Sequence, residues 1–156
     1  MLDSVSAPAT GKREVVALRL GDQDFCIDIG LVREIRGWSA TTMLPNAQHY
    51  IAGVMNLRGS VVAVVDLAAR LGLGDTRPTP RHVVIIVSLN GQTVGLLADL
   101  VSDILAVTPD MTRPVPERVA GTTREHLACI LALEDGRILR DLDLSHLLAA
   151  RIAGAS

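Results

Sequence analysis

Apolar and polar residues alternate with a period of two along much of the chain. Phe25, Ile27 and Ile29 alternate with Cys26 and Asp28, which is typical of a strand with one buried face. Similar apolar segments lie at residues 15–20, 51–57, 61–65, 83–89, 92–98, 127–133 and 137–142. The pattern predicts about nine or ten short strands and an all-β fold. Residues 31–35 fit either a strand or one turn of helix.

Turn sequences separate these strands into hairpins. Asn90-Gly91 lies between two β-rich segments, and both residue types tolerate the positive φ of a type I′ turn. Three further turn sequences lie between predicted strands, namely Gly21-Asp22, Arg58-Gly59-Ser60 and Asp135-Gly136. We therefore expect the strands to pair mainly as hairpins.

Two aspartates mark the starts of two short helices. Asp66 precedes residues 67–71, and Gly72 follows them. Asp143 precedes residues 144–152 in the same way. Because Asp caps helix N-termini and Gly suits the position after a helix, we predict a short mid-chain helix and a C-terminal helix at about 143–152.

The chain also resembles itself. Residues 21–35 match residues 90–104 at an offset of 69, and residues 59–71 match residues 136–148 at an offset of 77. The two matches predict two copies of one β unit of about 70 residues, the size of a small five-stranded SH3-like barrel.

The predicted organisation follows from this duplication. A disordered tail precedes the domain, and a C-terminal helix ends it. The predicted bounds are 1–12 for the tail, 13–150 for the domain, about 13–76 for subdomain 1 and about 80–142 for subdomain 2.

Two apolar segments do not alternate. Residues 61–65 and 83–87 are uninterrupted aliphatic runs, which indicates strands that are covered on both faces. The sister barrel is the favoured cover, and a helix or another protein are the alternatives.

Composition excludes several classes of protein. Mean hydropathy is high at +0.36, but the longest aliphatic runs have five residues, far below the ~18 that a membrane span requires. The net charge of −2 and the aromatic content of 2% argue against a nucleic-acid binder, which needs a basic surface and stacking rings. Residues 1–12 lack the apolar core of a signal peptide. The expectation is a cytoplasmic protein without membrane insertion.

No residues form a recognisable catalytic or metal site. The four histidines share no metal-ligand spacing with the cysteines or with acidic pairs. Cys26 and Cys129 are predicted to be buried apolar thiols rather than a disulfide or a metal pair. The capping role accounts for Asp66 without a phosphoryl-acceptor function. We therefore expect no metal, no cofactor and no enzymatic activity.

A polar pair interrupts the most apolar part of the chain. Asn56 and Arg58 lie between residues 51–55 and 61–65. One interpretation is a hairpin turn with a solvated tip. The other is a binding anchor, because an arginine at the rim of an apolar patch offers several donors to a partner.

Four segments in series resemble a known family. They are VREIRG at residues 32–37, IAGVMNLRG at 51–59, VVAVVDL at 61–67 and GLLADLVSD at 95–103. In this order and spacing they resemble the signatures of the CheW chemotaxis coupling proteins, over about residues 13–150. The resemblance implies two five-stranded SH3-like barrels, in agreement with the duplicated β unit. Ala63 and the pair Arg140-Asp141 depart from the family pattern.

The resemblance also implies a function. CheW-like proteins are non-enzymatic adaptors that join the cytoplasmic tips of chemoreceptors to the regulatory domain of the histidine kinase CheA, in membrane-associated receptor arrays. Carried onto this chain, the binding positions are Val32, Glu34, Gly53, Asn56, Arg58, Val101 and Ile104. The protein alone is expected to be a monomer.

Two alternative functions remain at this point. One is a coupling module of a signalling array that does not control chemotaxis. The other is a small β-barrel enzyme, which the scattered histidines, cysteines and acidic residues disfavour.

Overall fold

The computed structural model describes residues 11–119 and 121–148, and these residues fold mainly as β-strands. In chain order the strands are β1 Arg13–Leu20, β2 Gln23–Asp28, β3 Val32–Gly37, β4 Ile51–Leu57, β5 Ser60–Asp66, β6 Val83–Leu89, β7 Gln92–Ala98, β8 Leu100–Val107, β9 Thr112–Arg113, β10 Leu127–Ala132 and β11 Ile138–Leu142. The all-β class is confirmed. The structure has eleven strands in its described residues, one more than predicted. The additional strand is β9, whose two residues are polar and exposed and therefore give no apolar periodicity.

The described helices are short. They are α1 Leu67–Arg70, α2 Gly121–Arg124 and α3 Leu144–Leu147. Single 3-10 turns at Ile29–Leu31 and Pro109–Met111 precede β3 and β9. The ambiguous segment 31–35 is thus the end of a helical turn followed by a strand.

The strands form two sheets with the same arrangement. The order in the five-stranded sheet is β3-β6-β7-β5-β4, and in the six-stranded sheet it is β8-β1-β2-β11-β10-β9. Most neighbours are antiparallel, but β5 pairs with β7 and β11 pairs with β2 in parallel. The matching orders agree with two copies of one unit, with β9 as an addition at one edge.

The two copies exchange hairpins. The first hairpin, β1–β2, lies in the sheet that contains β8 to β11, and the hairpin β6–β7 lies in the sheet that contains β3 to β5. The sheets therefore do not coincide with the consecutive subdomains 13–76 and 80–142. The reason is the backbone hydrogen bonding: the hairpin β1–β2 pairs with β8 and β11, and the hairpin β6–β7 pairs with β3 and β5.

Strand register shows how closely the copies correspond. Val32 lies opposite Val87 in the five-stranded sheet, and Val101 lies opposite Leu18 in the six-stranded sheet. The offset of 69 relates both partners of these pairs. A β-bulge follows at the same place in each sheet, between Val32 and Glu34 and between Ala17 and Leu18.

A central apolar core lies between the two sheets, and each sheet covers a smaller cluster on its other face. In β5, Ala63 and Val65 belong to the central core, whereas Val62 and Val64 belong to the cluster of the five-stranded sheet. Strand β6 divides its residues in the same way. Residues 62–65 and 84–87 of the aliphatic runs are therefore buried on both faces within this chain, as the sister-barrel interpretation predicted, whereas Val61 is 58% exposed.

Local turn and cap predictions are confirmed where the structure describes them. Asn90 and Gly91 have φ angles of 53° and 78°, as a type I′ turn requires. The Asp66 carboxylate accepts from Ala69 N, and the Asp143 carboxylate accepts from His146 N. Most of the predicted tail, residues 1–10, and the helix beyond residue 148 lie outside the described residues.

The cluster of the six-stranded sheet contains a buried ion pair. Asp141 is 4% exposed, and its oxygens accept from Arg13 Nη1 and Nη2 at 2.9 and 3.1 Å. Cys26 and Cys129 are free and direct their thiols at the same carboxylate, at 3.8 and 3.7 Å. Burial raises the pKa of both thiols. The two thiols are thus partners of a carboxylate rather than purely apolar side chains.

The two capping aspartates give a matched test of the fold. Asp66 is buried and also accepts from the amide and hydroxyl of Thr76, at 2.8 and 2.7 Å. Asp66→Ala is expected to lower the free energy of unfolding by about 2–3 kcal/mol, because it removes the helix cap and leaves the part-buried donors of Thr76 unpaired. Asp143→Ala removes a more exposed cap and is expected to cost about 1 kcal/mol. Urea unfolding measures both, and equal losses would contradict the anchoring role of Asp66.

Candidate functional site

The turn between β4 and β5 holds an arginine in a strained conformation. Arg58 and Gly59 have φ angles of 51° and 89°, and a positive φ is uncommon for any residue with a Cβ atom. The Asn56 side-chain oxygen accepts from Gly59 N at 2.9 Å and stabilises the turn. The two polar residues that the sequence singled out therefore act together, one holding the turn and the other projecting from it.

Arg58 joins the two ends of its sheet. Its Nη2 atom donates to Glu34 Oε1 at 2.5 Å, and Glu34 lies on the edge strand β3 while the turn of Arg58 joins β5 to the opposite edge strand, β4. The sheet must curl for this contact to form. The Arg58 side chain remains 71% exposed, against 29% for Glu34, so the arginine has donors to spare for a partner.

The ion pair changes the acidity of Glu34. The hydrogen bond from Arg58 lowers the pKa of the Glu34 carboxyl, and the charges of Arg58 and Arg36 contribute in the same direction. Arg36 is the more distant cation, with Nη1 at 3.8 Å from Glu34 Oε2. Glu34 is therefore held as a carboxylate beside two arginines.

The six-stranded sheet has a corresponding ion pair. Arg137 Nη2 lies 3.1 Å from Asp103 Oδ2, and Asp103 occupies the position of Glu34 plus 69. Hydrogen bonds from Arg137, and then from Ser102, lower the pKa of the Asp103 carboxyl. Each curled sheet thus has an acid on an edge strand, β3 or β8, that is paired with an arginine from a hairpin turn. The turn is β4–β5 in the five-stranded sheet and β10–β11 in the six-stranded sheet.

Exposed aliphatic residues also occur in corresponding pairs. Ile35 on β3 and Ile104 on β8 are 42% and 54% exposed, and the offset of 69 relates them. Val61 and Ile138 are 58% and 45% exposed and are related by the offset of 77. Edge strands that carry exposed apolar side chains are typical docking elements.

Val32 and Val101 lie at equivalent register positions and are half-buried. Both pack against the central core from the edge strands β3 and β8. Both valines therefore help to close the central core, and only part of each side chain remains exposed.

Gly53 is buried and has a structural requirement of its own. Its φ is 131°, and a Cβ atom there would meet Thr41 Cβ and the Thr42 carbonyl oxygen, each at 2.8 Å. It follows the β-bulge on β4 that lies between Ile51, opposite Val65, and Gly53, opposite Val64. A side chain at this position would displace the segment that precedes β4.

The structure brings together some of the predicted site residues. Glu34, Asn56 and Arg58 form one cluster on the five-stranded sheet, whereas Val101 and Ile104 lie on the edge strand of the other sheet. Sequence reasoning missed Ile35, Val61 and Ile138. A comparison of apolar positions across the two copies would have found them, because each has an apolar counterpart.

Within residues 11–119 and 121–148, no three or more His, Cys, Asp or Glu residues are placed to hold a metal ion. No helix in these residues has the length and apolar content of a membrane span.

Comparisons with known proteins identify similar chains. The family model of the CheW-like domain matches residues 14–151. A protein named "Probable chemotaxis protein CheW" from Rhizobium etli is 46% identical over 139 residues, 89% of each chain. Chemotaxis protein CheW from Rhizobium meliloti is 44% identical with the same coverage. The crystal structure of scaffolding protein TtCheW from Thermoanaerobacter tengcongensis matches with a TM-score of 0.78 and 26% identity, over 89% of this chain and 94% of that chain.

The ion pair at the turn predicts a titration experiment. Arg58→Gln is expected to raise the pKa of Glu34 back toward its ordinary value of 4.5, because the principal donor to the carboxylate loses its charge. Arg36→Gln is the matched control and should change this pKa less. Carboxyl carbon NMR measures both shifts.

The sign of the effect on stability follows from the lowered pKa. The Arg58–Glu34 pair makes its full contribution to the stability of the fold above pH 4.5, the ordinary pKa of the glutamate. This contribution is lost as the pH falls through the lower pKa that Glu34 has in the folded state. An unchanged pKa of Glu34 in Arg58→Gln would contradict the assigned contact.

Proposed function

Because the chain belongs to the family of CheW-like domains, we propose that it is a non-enzymatic adaptor in chemotaxis signalling. It couples the cytoplasmic tips of chemoreceptors to the regulatory domain of the histidine kinase CheA. Its place is the cytoplasm, where it is recruited to membrane-associated receptor arrays. The binding positions are those carried over from the family, namely Val32, Glu34, Gly53, Asn56, Arg58, Val101 and Ile104.

The observation that carries this proposal is the pair of edge strands with exposed isoleucines. Ile35 and Ile104 project from β3 and β8, next to the acids Glu34 and Asp103. Each acid is already paired with an arginine of its own sheet. A partner therefore meets an aliphatic strip with an oriented ion pair beside it, which combines apolar contact area with polar specificity.

The receptor contact depends on Arg58. The receptor tip is a helical hairpin, and we place it in the groove between the barrels, helix-in-groove style. The strained turn projects the guanidinium, and Glu34 fixes its direction. Carbonyl or carboxylate groups of the receptor accept the remaining N–H donors of Arg58.

The kinase contact depends on aliphatic side chains of an edge strand. The regulatory domain of CheA carries a homologous barrel, and its apolar edge meets β3 through Ile35. The small aromatic content, 2%, favours contacts of modest strength, because strong interfaces are enriched in aromatic residues. Such contacts suit an adaptor that acts within an array and is a monomer alone.

Arg58→Glu tests the receptor site. It reverses the charge at the most exposed polar group of the cluster and repels Glu34, and it is expected to weaken binding of a purified receptor cytoplasmic fragment at least about tenfold. Binding is measured by pull-down and calorimetry, and circular dichroism and the urea midpoint establish that the variant is folded.

A matched control separates this effect from general electrostatics. Arg113 is exposed on β9, at the opposite edge of the six-stranded sheet from Val101 and Ile104, so Arg113→Glu makes the same charge change elsewhere. It should leave receptor binding unchanged. Equal affinity of folded Arg58→Glu and wild type would refute the receptor site.

Ile35→Asp tests the kinase site. Wild type is expected to form a calorimetrically detectable complex with the purified regulatory domain of CheA, and Ile35→Asp should weaken it about tenfold while stability changes by less than about 0.5 kcal/mol. Met43, which is 70% exposed and lies outside the edge strands, supplies the control Met43→Asp. Absence of any complex with wild type would argue against the adaptor function itself.

A further inference from the structure

A cavity lies at the end of the five-stranded sheet that is remote from the Arg58 turn. Its volume is about 450 Å³, which is within the range of small-molecule sites. Ala52 at the start of β4 and Asp66 at the end of β5 belong to its wall, whereas the Arg58 turn joins the other ends of these two strands. The cavity is therefore separate from the ion pair at that turn.

Apolar side chains form one part of the cavity wall. Trp38 and Ala52 are partly buried and pack against the apolar cluster of the five-stranded sheet. Met43 and Pro78 also line the cavity, and Met43 is 70% exposed. The wall therefore provides aliphatic and aromatic contact area for the apolar part of a ligand.

The segment before β4 is held in place and preforms this wall. Thr41 Oγ1 donates to the Ala52 carbonyl at 2.7 Å, and Thr42 pairs with Val54 in an isolated bridge. Gly53 permits this close approach, because a Cβ atom there would meet Thr41 Cβ at 2.8 Å. The chain therefore positions the wall through contacts of its own, without a ligand.

A buried carboxylate forms another part of the wall. Asp66 is 6% exposed, and its donors in the described part of the chain are Ala69 N at 3.4 Å, Thr76 N at 2.8 Å and Thr76 Oγ1 at 2.7 Å. All three donors are neutral, whereas buried carboxylates are normally paired with a cation. A carboxylate accepts about four hydrogen bonds, so Asp66 can accept one more.

The other ionisable groups of the wall favour a positively charged ligand. Asp75 is exposed and lies beside Thr76 in the wall, and His49 is an exposed histidine. Among the described residues, no lysine or arginine lines the cavity. The indole of Trp38 adds to this preference, because aromatic rings attract cations.

We propose that this cavity binds a small organic cation, an ammonium or guanidinium group on an apolar stem. The carboxylates of Asp66 and Asp75 attract the charged group, and Trp38 and Met43 contact the stem. A free cation is favoured over a single side chain of a partner, because one lysine or arginine side chain would leave most of the 450 Å³ empty. None of the seven predicted receptor and kinase positions lines the cavity, so the proposal is independent of those contacts.

Heteronuclear NMR of the full chain tests the site with phenethylammonium as the probe. Trp38 is the only tryptophan of the chain, so its indole N–H gives a single signal from the wall of the cavity. A saturable shift of this signal is expected with a midpoint of about 1–10 mM. Ionic strength is held constant with sodium chloride throughout the titration.

A matched set of ligands tests the charge preference. Phenethyl alcohol has the same shape without the charge and is expected to bind at least about fivefold more weakly, and the anion phenylpropionate should produce no saturable shift. Equal affinity for the alcohol and the ammonium would overturn the proposal. Absence of a saturable shift with phenethylammonium up to about 50 mM would also overturn it.

A blocked lysine distinguishes the two sources of an ammonium group. Nα-acetyl-lysine amide presents the side chain as a polypeptide would, and it is expected to bind at least about threefold more weakly than phenethylammonium because it has less apolar surface. Equal or tighter binding of the blocked lysine would overturn the assignment to a free cation and would indicate a side chain of a partner.

Two variants test the carboxylates. Asp66→Asn keeps a side-chain oxygen for the helix cap but removes the charge, and it is expected to weaken phenethylammonium binding about tenfold. Asp75→Asn removes the exposed charge and is expected to weaken binding about threefold. Circular dichroism and the urea midpoint establish whether each variant is folded.

Asp22→Asn is the matched control for both variants. Asp22 is exposed in the turn between β1 and β2 and does not line the cavity, so this variant should bind as wild type does. Wild-type affinity in folded Asp75→Asn would by itself overturn the proposal, which therefore remains testable even if Asp66→Asn does not fold.

Discussion

The apolar core between the two sheets is the constraint on which the remaining structure depends. It contains residues from both exchanged hairpins and from the helices α1 and α3. Each hairpin is bonded laterally to strands of the other copy and packed across the core against its own. Neither half of the chain can complete a sheet alone, so the sheets and the core between them must form together, as expected for one cooperative unit.

In the proposed function, binding lies at the edges of the sheets. The inner strands are largely buried on both faces, whereas the edge strands β3 and β8 alternate between half-buried and exposed residues along most of their length. Because of the duplication, both edge strands carry the same group of residues: an exposed isoleucine beside an acid that forms an ion pair with an arginine. The charged pairs also protect these edges, because charged side chains on an edge strand oppose indiscriminate pairing with other chains. In the proposed function, the residues that bind the partners are thus also the ones that protect the sheet edges.

Sequence predicted the features that depend on neighbours along the chain. The Asn90-Gly91 turn and the caps at Asp66 and Asp143 follow from local chemistry, and the duplication followed from two offsets. The exchange of hairpins was not predictable, because the parallel pairing of β2 with β11 joins residues such as Cys26 and Asp141, which are distant in sequence. The positive φ of Arg58 gave no signal either, since arginine has no preference for that conformation. Apolar periodicity found strands but could not assign them to sheets.

Buried polar groups distinguish the two copies. Asp141 takes the place of Val64 and Cys26 that of Gly95, and both lie in the six-stranded sheet. Such groups hold their geometry only while each partner stays in place, whereas the apolar cluster of the other sheet has no comparable requirement. The cluster of the five-stranded sheet is therefore stabilised by apolar packing, and the cluster of the six-stranded sheet also by the ion pair between Arg13 and Asp141.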